Sequence, residues 1–286
     1  MQTGQFNGFD TELQDPGILT ITFNRPAQLN ASTQAMKRDL IETLTQAQMH
    51  NSVRVVVFTG RGKAFCAGDD LTGGYKENGD PEKALIGTVP GGHDTAIGTY
   101  NGLRVISQAV NVAIRNLDKL TIAAINGFAI QTGFSLALAC DFRVAANDAK
   151  MGSATLRFGL LPDEGGQYLL VQHLGVARTL EFLMRKQIIT GAEAAETGLV
   201  HYAVDGDELM DTTYALAREL AEGPQVAMRL LKRSVYNAYE QSWDQALDEI
   251  AAKTAIADHH PDAREGGASF VEKRPATFNA WLEQER

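Results

Sequence analysis

Two short, almost wholly apolar runs, each followed by a cluster of glycines, constrain this 286-residue chain most. Val53 to Thr59 reads VRVVVFT, and Thr121 to Asn126 reads TIAAIN. Apolar, β-branched runs with little polar alternation predict strands buried on both faces. Gly60, Gly62 and Gly68 break the chain after the first; Gly127 and Gly133 form a turn after the second. Upstream, Leu19, Ile21 and Phe23 alternate with Thr20 and Thr22, predicting a strand with one buried face that Arg25-Pro26 stops. Ser32 or Thr33 can then cap a helix in which Met36, Leu40 and Leu44 recur every four residues. Strand, helix, strand in this order implies a parallel crossover, so an α/β fold.

The pattern continues. A short buried helix is expected from Phe134 to Cys140, a strand from Phe142 to Ala146, and a loop from Gly159 to Gly166 running into a helix that reaches about His173. Thr190 and Glu193 form a capping box that opens a helix ending at Gly198, and Leu199 to Val204 reads as the last strand. After Asp205 the chain turns helical. Asp207 to Glu222 stops at Gly223, Pro224 occupies a first-turn position, Ser242 and Gln245 make a second capping box, and helix follows helix to Arg274-Pro275. Two parts result, an α/β core over 1–204 and a helical region over 205–286, whose Leu230, Leu231, Trp243, Leu247 and Ile250 pack on the core or form subunit contacts. Thr72 to Gly102 holds eight glycines with Pro81 and Pro90, and reads as a long loop with a short helix near Glu82 to Leu85. Such a loop is either a lid or binding loop or a surface insertion.

A net charge of −9 argues against nucleic acid as a partner. The uncharged stretch from Gly127 to Cys140 is shorter than the ~20 residues a membrane span needs, so no membrane association is expected. Cys66 and Cys140 cannot build a disulfide framework, and the N-terminus lacks the basic start and apolar core of a signal peptide; a reduced, cytoplasmic setting is expected. None of the six histidines falls in a metal-binding spacing, and no dinucleotide, phosphate-loop or serine-elbow motif occurs, so neither a metal nor a redox cofactor is expected. Cys66, without a His or Lys partner in view, reads as a small packed residue rather than a nucleophile.

Chemistry concentrates in the two glycine turns, KAFCAGDDL over 63–71 and INGFAIQTGFS over 125–135. A turn that leaves a buried strand and enters a helix presents free backbone N–H groups. Two such turns side by side can aim two donors at one carbonyl oxygen, as an oxyanion hole does.

These runs, together with AAINGFAIQTGFSLALACDFRVAA, GLLPDEGG, ITGAEAAETGLV and the terminal GGASFVEKR, closely resemble the crotonase superfamily of enoyl-CoA hydratases and isomerases, in family order from Leu19 to Arg274. The resemblance implies a spiral of ββα units, a helical C-terminal trimerisation region, and homotrimers or dimers of trimers. It implies an acyl-CoA thioester as substrate, with coenzyme A entering only as part of it. The oxyanion donors map onto the backbone N–H groups of Asp69 and Thr132, the latter standing where the family usually has glycine. Contacts to CoA map onto Arg25, Ala27, Ala67, Gly68, Asp70 and Leu71, and onto Phe270 and Lys273 near the C-terminus, a segment that often acts across a subunit boundary.

Hydratases of this superfamily carry two glutamates; this chain has Ser135 and Thr155 at those positions. Adding water needs one group to activate it and another to protonate the α-carbon, and an ordinary hydroxyl does neither readily. The acidic residues that remain lie in PDEGG. Isomerases of the superfamily place a single carboxylate in a similar turn, a match that puts Asp163 first and Glu164 second as the acid/base group. An enoyl-CoA isomerase with one carboxylate is therefore the preferred reading. The alternatives are a hydratase with Asp163 and Glu164 as a substitute pair, a catalytically degenerate acyl-CoA binder, and, with less support, a thioester hydrolase.

Overall fold

The computed structural model describes residues 1–72, 79–85 and 94–283. Its chain order is β1 (Gly4–Phe6), β2 (Phe9–Gln14), β3 (Ile18–Phe23), α1 (Gln34–Met49), β4 (Val55–Gly60), β5 (Ala64–Cys66), α2 (Ala96–Gly102), α3 (Gln108–Asn116), β6 (Leu120–Ile125), β7 (Phe128–Ile130), α4 (Thr132–Ala139), β8 (Phe142–Ala146), β9 (Lys150–Gly152), α5 (Gly166–Met184), β10 (Ile188–Thr190), α6 (Gly191–Glu196), β11 (Tyr202–Val204) and the helices α7 (Leu209–Glu222), α8 (Gln225–Asn237), α9 (Trp243–Asp258) and α10 (Pro261–Glu272). A wider five-residue helical turn, Leu103–Ser107, joins α2 to α3.

Two sheets form. Seven strands run β1-β2-β3-β4-β6-β8-β11, and four run β10-β9-β7-β5. From β3 to β11 every neighbour in the larger sheet is parallel. Each turn of the chain therefore lays one strand in the large sheet, one in the small sheet, and then a helix: β4, β5 and α3; β6, β7 and α4; β8, β9 and α5. This is a ββα spiral, as the family resemblance implies.

Both faces of the large sheet are covered. One carries Leu19, Ile21, Phe23, Val56 and Phe58 into a cluster with Leu40 and Leu44 of α1 and Ile114 of α3. The other carries Ile18, Val55, Val57, Ile122 and Val144 against Leu209, Ala217 and Ala221 of α7. β3 is thus buried on both faces, where its alternation predicted one. Thr20 lies under α7, its hydroxyl 3.0 Å from that of Tyr214. The helical stretch after residue 204 accordingly begins inside the core, and only α8 to α10 stand outside it.

Several elements differ from the sequence reading for identifiable reasons. β7 lies hidden in the glycine turn, because FAI is too short for a periodic signal. The helical segment from Ala96 to Asn116 replaces the end of the expected loop and extends well past it. Residues 80–83 form hydrogen-bonded turns where a short helix was expected. The rest of the expected loop, 73–78 and 86–93, lies outside the described residues. α5 breaks at Gly175 (φ 74°, ψ 171°), two residues past the stop read at His173. Among the described residues no helix is long and apolar enough to cross a membrane, and no cluster of His, Cys, Asp and Glu could hold a metal ion.

Candidate active site

The two glycine turns meet. β5 and β7 pair in parallel, which brings the chain after Cys66 beside the chain after Ile130. α4 enters with its backbone against β5: a Cβ on Gly133 would stand 2.0 Å from the Cys66 carbonyl oxygen, so no other residue fits there without moving one turn off the other. Gly68 supplies the left-handed conformation (φ 106°) with which the first turn leaves β5.

Both turns leave an N–H available. Ser32 donates its N–H to the Gly68 carbonyl at 2.8 Å and accepts from the Asp70 N–H at 3.0 Å. In this parallel bridge the intervening Asp69 turns its own N–H away from Ser32. Thr132 is the first residue of α4, and its N–H is one of the four that a helix cannot satisfy internally. The left-handed backbone falls on Gln131 (φ 51°, ψ −107°), not on Thr132, so a threonine in place of the family's glycine carries no positive-φ penalty.

The side chains of the two donor residues are joined as well. The Thr132 hydroxyl lies 2.8 Å from Asp69 Oδ1 and 2.5 Å from Glu164 Oε1. Asp69 also accepts from Ser32 Oγ at 2.6 Å and pairs with Lys37 Nζ at 2.8 Å. Lys37, buried on α1, reaches Ser107 Oγ at 3.0 Å. Glu164 Oε2 accepts from Gln131 Nε2 at 2.9 Å, and Gln131 Oε1 accepts from Ser153 Oγ at 2.6 Å, which in turn lies 3.1 Å from Thr155 Oγ1. Burial opposes ionisation of Asp69, but the Lys37 ammonium and the converging hydrogen bonds outweigh it and hold that carboxyl below its ordinary pKa. Glu164 goes the other way. It is 3% exposed, and burial, with the Asp69 and Asp163 charges adding to it against the pull of Lys37, pushes its carboxyl up to about 7.

Neighbours in sequence, Asp163 and Glu164 occupy different surroundings. The Asp163 backbone carbonyl accepts from Gln108 Nε2 at 3.0 Å and that of Glu164 from Asn111 Nδ2 at 2.9 Å, so α3 fixes the turn. Among the described residues the Asp163 carboxylate has no hydrogen bond or ion pair, and its side chain is partly exposed. The sequence puts Asp163 before Glu164; in the structure it is the Glu164 side chain that reaches the two glycine turns. Ser135 is buried one helical turn beyond Thr132, and a Cβ on Gly166 would meet its hydroxyl at 2.4 Å. Glu164 stands in the turn just before α5 and meets the first residue of α4 through the Thr132 hydroxyl.

Arg25 and Ala27, the latter in a single helical turn over Pro26–Gln28, lie on the same strip as Ala67 to Leu71, held by the Ala67 N–H to Leu29 carbonyl bond of 3.0 Å. Arg25 Nη2 pairs with Asp70 at 2.8 Å, and hydrogen bonds from Thr72 together with this guanidinium hold the Asp70 carboxyl down at about 2. Leu71 is exposed. Phe270 and Lys273 stand apart: Phe270 is 85% exposed on α10, Lys273 caps that helix, and among the described residues no hydrogen bond or ion pair joins either to the two turns. Cys66 and Cys140 are free and buried, and burial pushes both thiols up to about 12, a setting in which neither is a thiolate.

Lys37, Ser32, Gln131 and Ser153 were not read as site residues. Only Lys37 left a signal, a lysine between Met36 and Leu40 on the buried side of α1.

The comparisons with known proteins agree with this architecture. The enoyl-CoA hydratase/isomerase family model matches residues 14–281, and the chain belongs to that family. It is 34% identical over 267 residues to the 1,2-epoxyphenylacetyl-CoA isomerase of Escherichia coli K12, covering 92% of this chain and 95% of that protein. It is 37% identical over 276 residues to the human mitochondrial enoyl-CoA hydratase domain-containing protein 2, covering 92% of this chain and 86% of that one. The crystal structure of an enoyl-CoA hydratase from Bacillus anthracis superposes with a TM-score of 0.83 at 29% identity, over 95% of this chain and 98% of that one. The fold is that of the crotonase superfamily.

Proposed function

We propose that this chain is an acyl-CoA isomerase that moves a proton along the acyl chain with one carboxylate, Glu164, against an oxyanion hole formed by the Asp69 and Thr132 amides. The observation that carries the reading is the 2.5 Å contact between Glu164 Oε1 and the hydroxyl of Thr132, the residue that supplies the second amide. A thioester oxygen held by the two N–H groups acquires charge as an enolate forms. Glu164 in its ionised form takes the proton as the C–H bond breaks and becomes neutral as the oxyanion becomes charged. The same carboxylic acid then returns the proton to another carbon, and the double bond has moved with no net gain or loss of atoms. A pKa near 7 suits a group that must both take and give a proton at neutral pH.

Ser135 and Thr155 favour isomerisation over hydration, because the second carboxylate of this hydrogen-bonded chain among the described residues, Asp69, is held by Lys37, Ser32 and Thr132 rather than left to activate water. The relative named as a 1,2-epoxyphenylacetyl-CoA isomerase supports the same class of reaction. In this reading Arg25 and the strip from Ala67 to Leu71 cradle the CoA, while Phe270 and Lys273 reach its adenine and phosphate from a neighbouring copy in a trimer or a dimer of trimers.

The test is turnover of a 3-enoyl-CoA panel to 2-enoyl products. Glu164→Gln should lose ~10²–10⁴ in kcat with little change in affinity, and Asp163→Asn should lose far less. An inactive Asp163→Asn beside an active Glu164→Gln would return the role to Asp163. Water addition abolished by either substitution would make the protein a hydratase with a substitute pair.

A further inference from the structure

We propose that Thr132, Asp69 and Lys37 are positioning residues that hold a proton on Glu164: Lys37 keeps Asp69 ionised, Asp69 takes the one hydroxyl proton of Thr132, and the threonine oxygen is left facing Glu164 as an acceptor. The inference rests on the reading of Glu164 as the acid/base group.

The argument counts protons. A hydroxyl has one to give. That of Thr132 lies within hydrogen-bond reach of two carboxyl groups, 2.8 Å from Asp69 Oδ1 and 2.5 Å from Glu164 Oε1. Asp69 is the stronger claimant. Ser32 Oγ donates to it at 2.6 Å, and Lys37 Nζ stands 2.8 Å from Oδ1 and 3.0 Å from Oδ2. A carboxylate ringed by an ammonium and two hydroxyls keeps its charge. The shorter contact, to Glu164, then needs a proton from Glu164 itself. Gln131 selects which oxygen carries it. Its amide oxygen accepts from Ser153, so its NH₂ faces Glu164 Oε2, which is therefore the acceptor, and Oε1 carries the hydrogen. Lys37, Ser32, Asp69, Thr132, Gln131 and Ser153 thus specify one protonation state and one orientation of the acid.

This arrangement has a chemical consequence. With Glu164 neutral, the Lys37–Asp69–Glu164 group has no net charge beside the two amides, as the oxyanion requires. An ionised Glu164 makes it negative. The intermediate that carries the oxyanion is thus matched by the protonated acid that the hydrogen-bond chain favours. Among the described residues, the charged or titratable groups that face Glu164 are Lys37 from α1, Asp69 and the Cys66 thiol from β5 and the turn after it, and Asp163 from its own turn.

Two measurements test the proposal. The first is the pH dependence of kcat. The base form of Glu164 grows with rising pH, so activity should climb through a limb near 7. Asp69→Asn removes a like charge and leaves Lys37 in place; the limb should move down by roughly one pH unit or more. Thr132→Val removes the hydroxyl that accepts this proton, and the limb should again move down. Lower kcat in both variants with the limb unmoved, or a limb that rises in Thr132→Val, would overturn the proposal and leave Asp69 and Thr132 with a structural role only. The second works on the wild-type protein if those variants fail to fold. Infrared difference spectra below neutral pH should show a protonated-carboxyl band that Glu164→Gln removes; no such band would overturn the proposal. Undiminished turnover in Glu164→Gln would instead remove the catalytic reading, while the infrared band still decides the hydrogen-bond chain.

Discussion

The two glycine turns and the α8–α10 tail are built on opposite terms. At the turns, backbone meets backbone. The start of α4 touches β5 so closely that Gly133 has no room for a side chain, and the bridge from Ser32 clamps Asp69 between two strand-like segments. The tail meets the rest of the chain through side chains. Lys232 and Tyr236 of α8 grip Asp141 at 2.7 and 2.6 Å, while Leu231, Val235, Trp243, Leu247, Ile250 and Phe270 face outward. The difference teaches where each part of the site comes from. The two turns are fixed by the chain's own backbone, whereas the apolar side chains of the tail, Phe270 among them, stay exposed.

Breaking the first region should have the largest effect. Gly133→Val must push the Cys66 carbonyl away from α4 and separate the two amides. A misplacement of about an ångström costs on the order of 10²-fold in rate. Circular dichroism should show whether the fold survives, and turnover should fall by at least that factor if it does; full activity would mean that the turns need not touch. In the second region, Lys273→Ala should weaken acyl-CoA binding by about ten- to a hundredfold, and should leave the dephospho analogue almost unaffected, since a charge-assisted phosphate contact is worth roughly 1.5–3 kcal/mol. Equal losses for both ligands would make Lys273 a surface charge. Paired Leu231→Asp and Val235→Asp substitutions should shift the sedimentation mass from a multiple of the chain toward that of one chain; a wild-type monomer at micromolar concentration would contradict the role given to the tail.

A smaller effect sharpens the contrast through pH. Glu164 binds its proton more tightly folded than unfolded, because its folded pKa is raised to about 7. Between the ordinary carboxyl range and that value the folded state holds more protons than the unfolded state, so stability should fall as pH rises across this window. Glu164→Gln should flatten the slope of melting temperature against pH, and an unchanged slope would place the ionisation elsewhere. The smallest expected change lies in the caps. Thr190→Ala and Ser242→Ala should each cost about 1 kcal/mol in denaturant unfolding, with no effect on turnover.

The caps also mark how far the sequence could be read. Thr190 with Glu193 and Ser242 with Gln245 are local, three residues apart, and both boxes form with both hydrogen bonds in place. β8 falls on Phe142–Ala146 because its short, mostly apolar run is bounded by Asp141 and Asn147. The two glycine turns were legible for the same reason: strand, glycines and helix are contiguous. Which carboxylate faces them was not. Asp163 and Glu164 share a turn, and only the approach of α4 and β5 decides which one faces Thr132. Lys37, Asp69, Thr132 and Glu164 are separated by tens of residues, and no periodicity links them. β7 is three residues long, and the helix from Ala96 starts with glycines at 98 and 102 that read as loop.

The central claim is that Glu164 moves the proton while the Asp69 and Thr132 amides hold the charge. It is tested most directly by NMR of a saturated acyl-CoA incubated with the protein in deuterium oxide. Such a ligand cannot isomerise, so the only event is loss and return of the α-proton. The account predicts deuterium entry at the α-carbon with the wild-type protein and with Asp163→Asn, and none above the uncatalysed rate with Glu164→Gln. Exchange that persists in Glu164→Gln and stops in Asp163→Asn would contradict it.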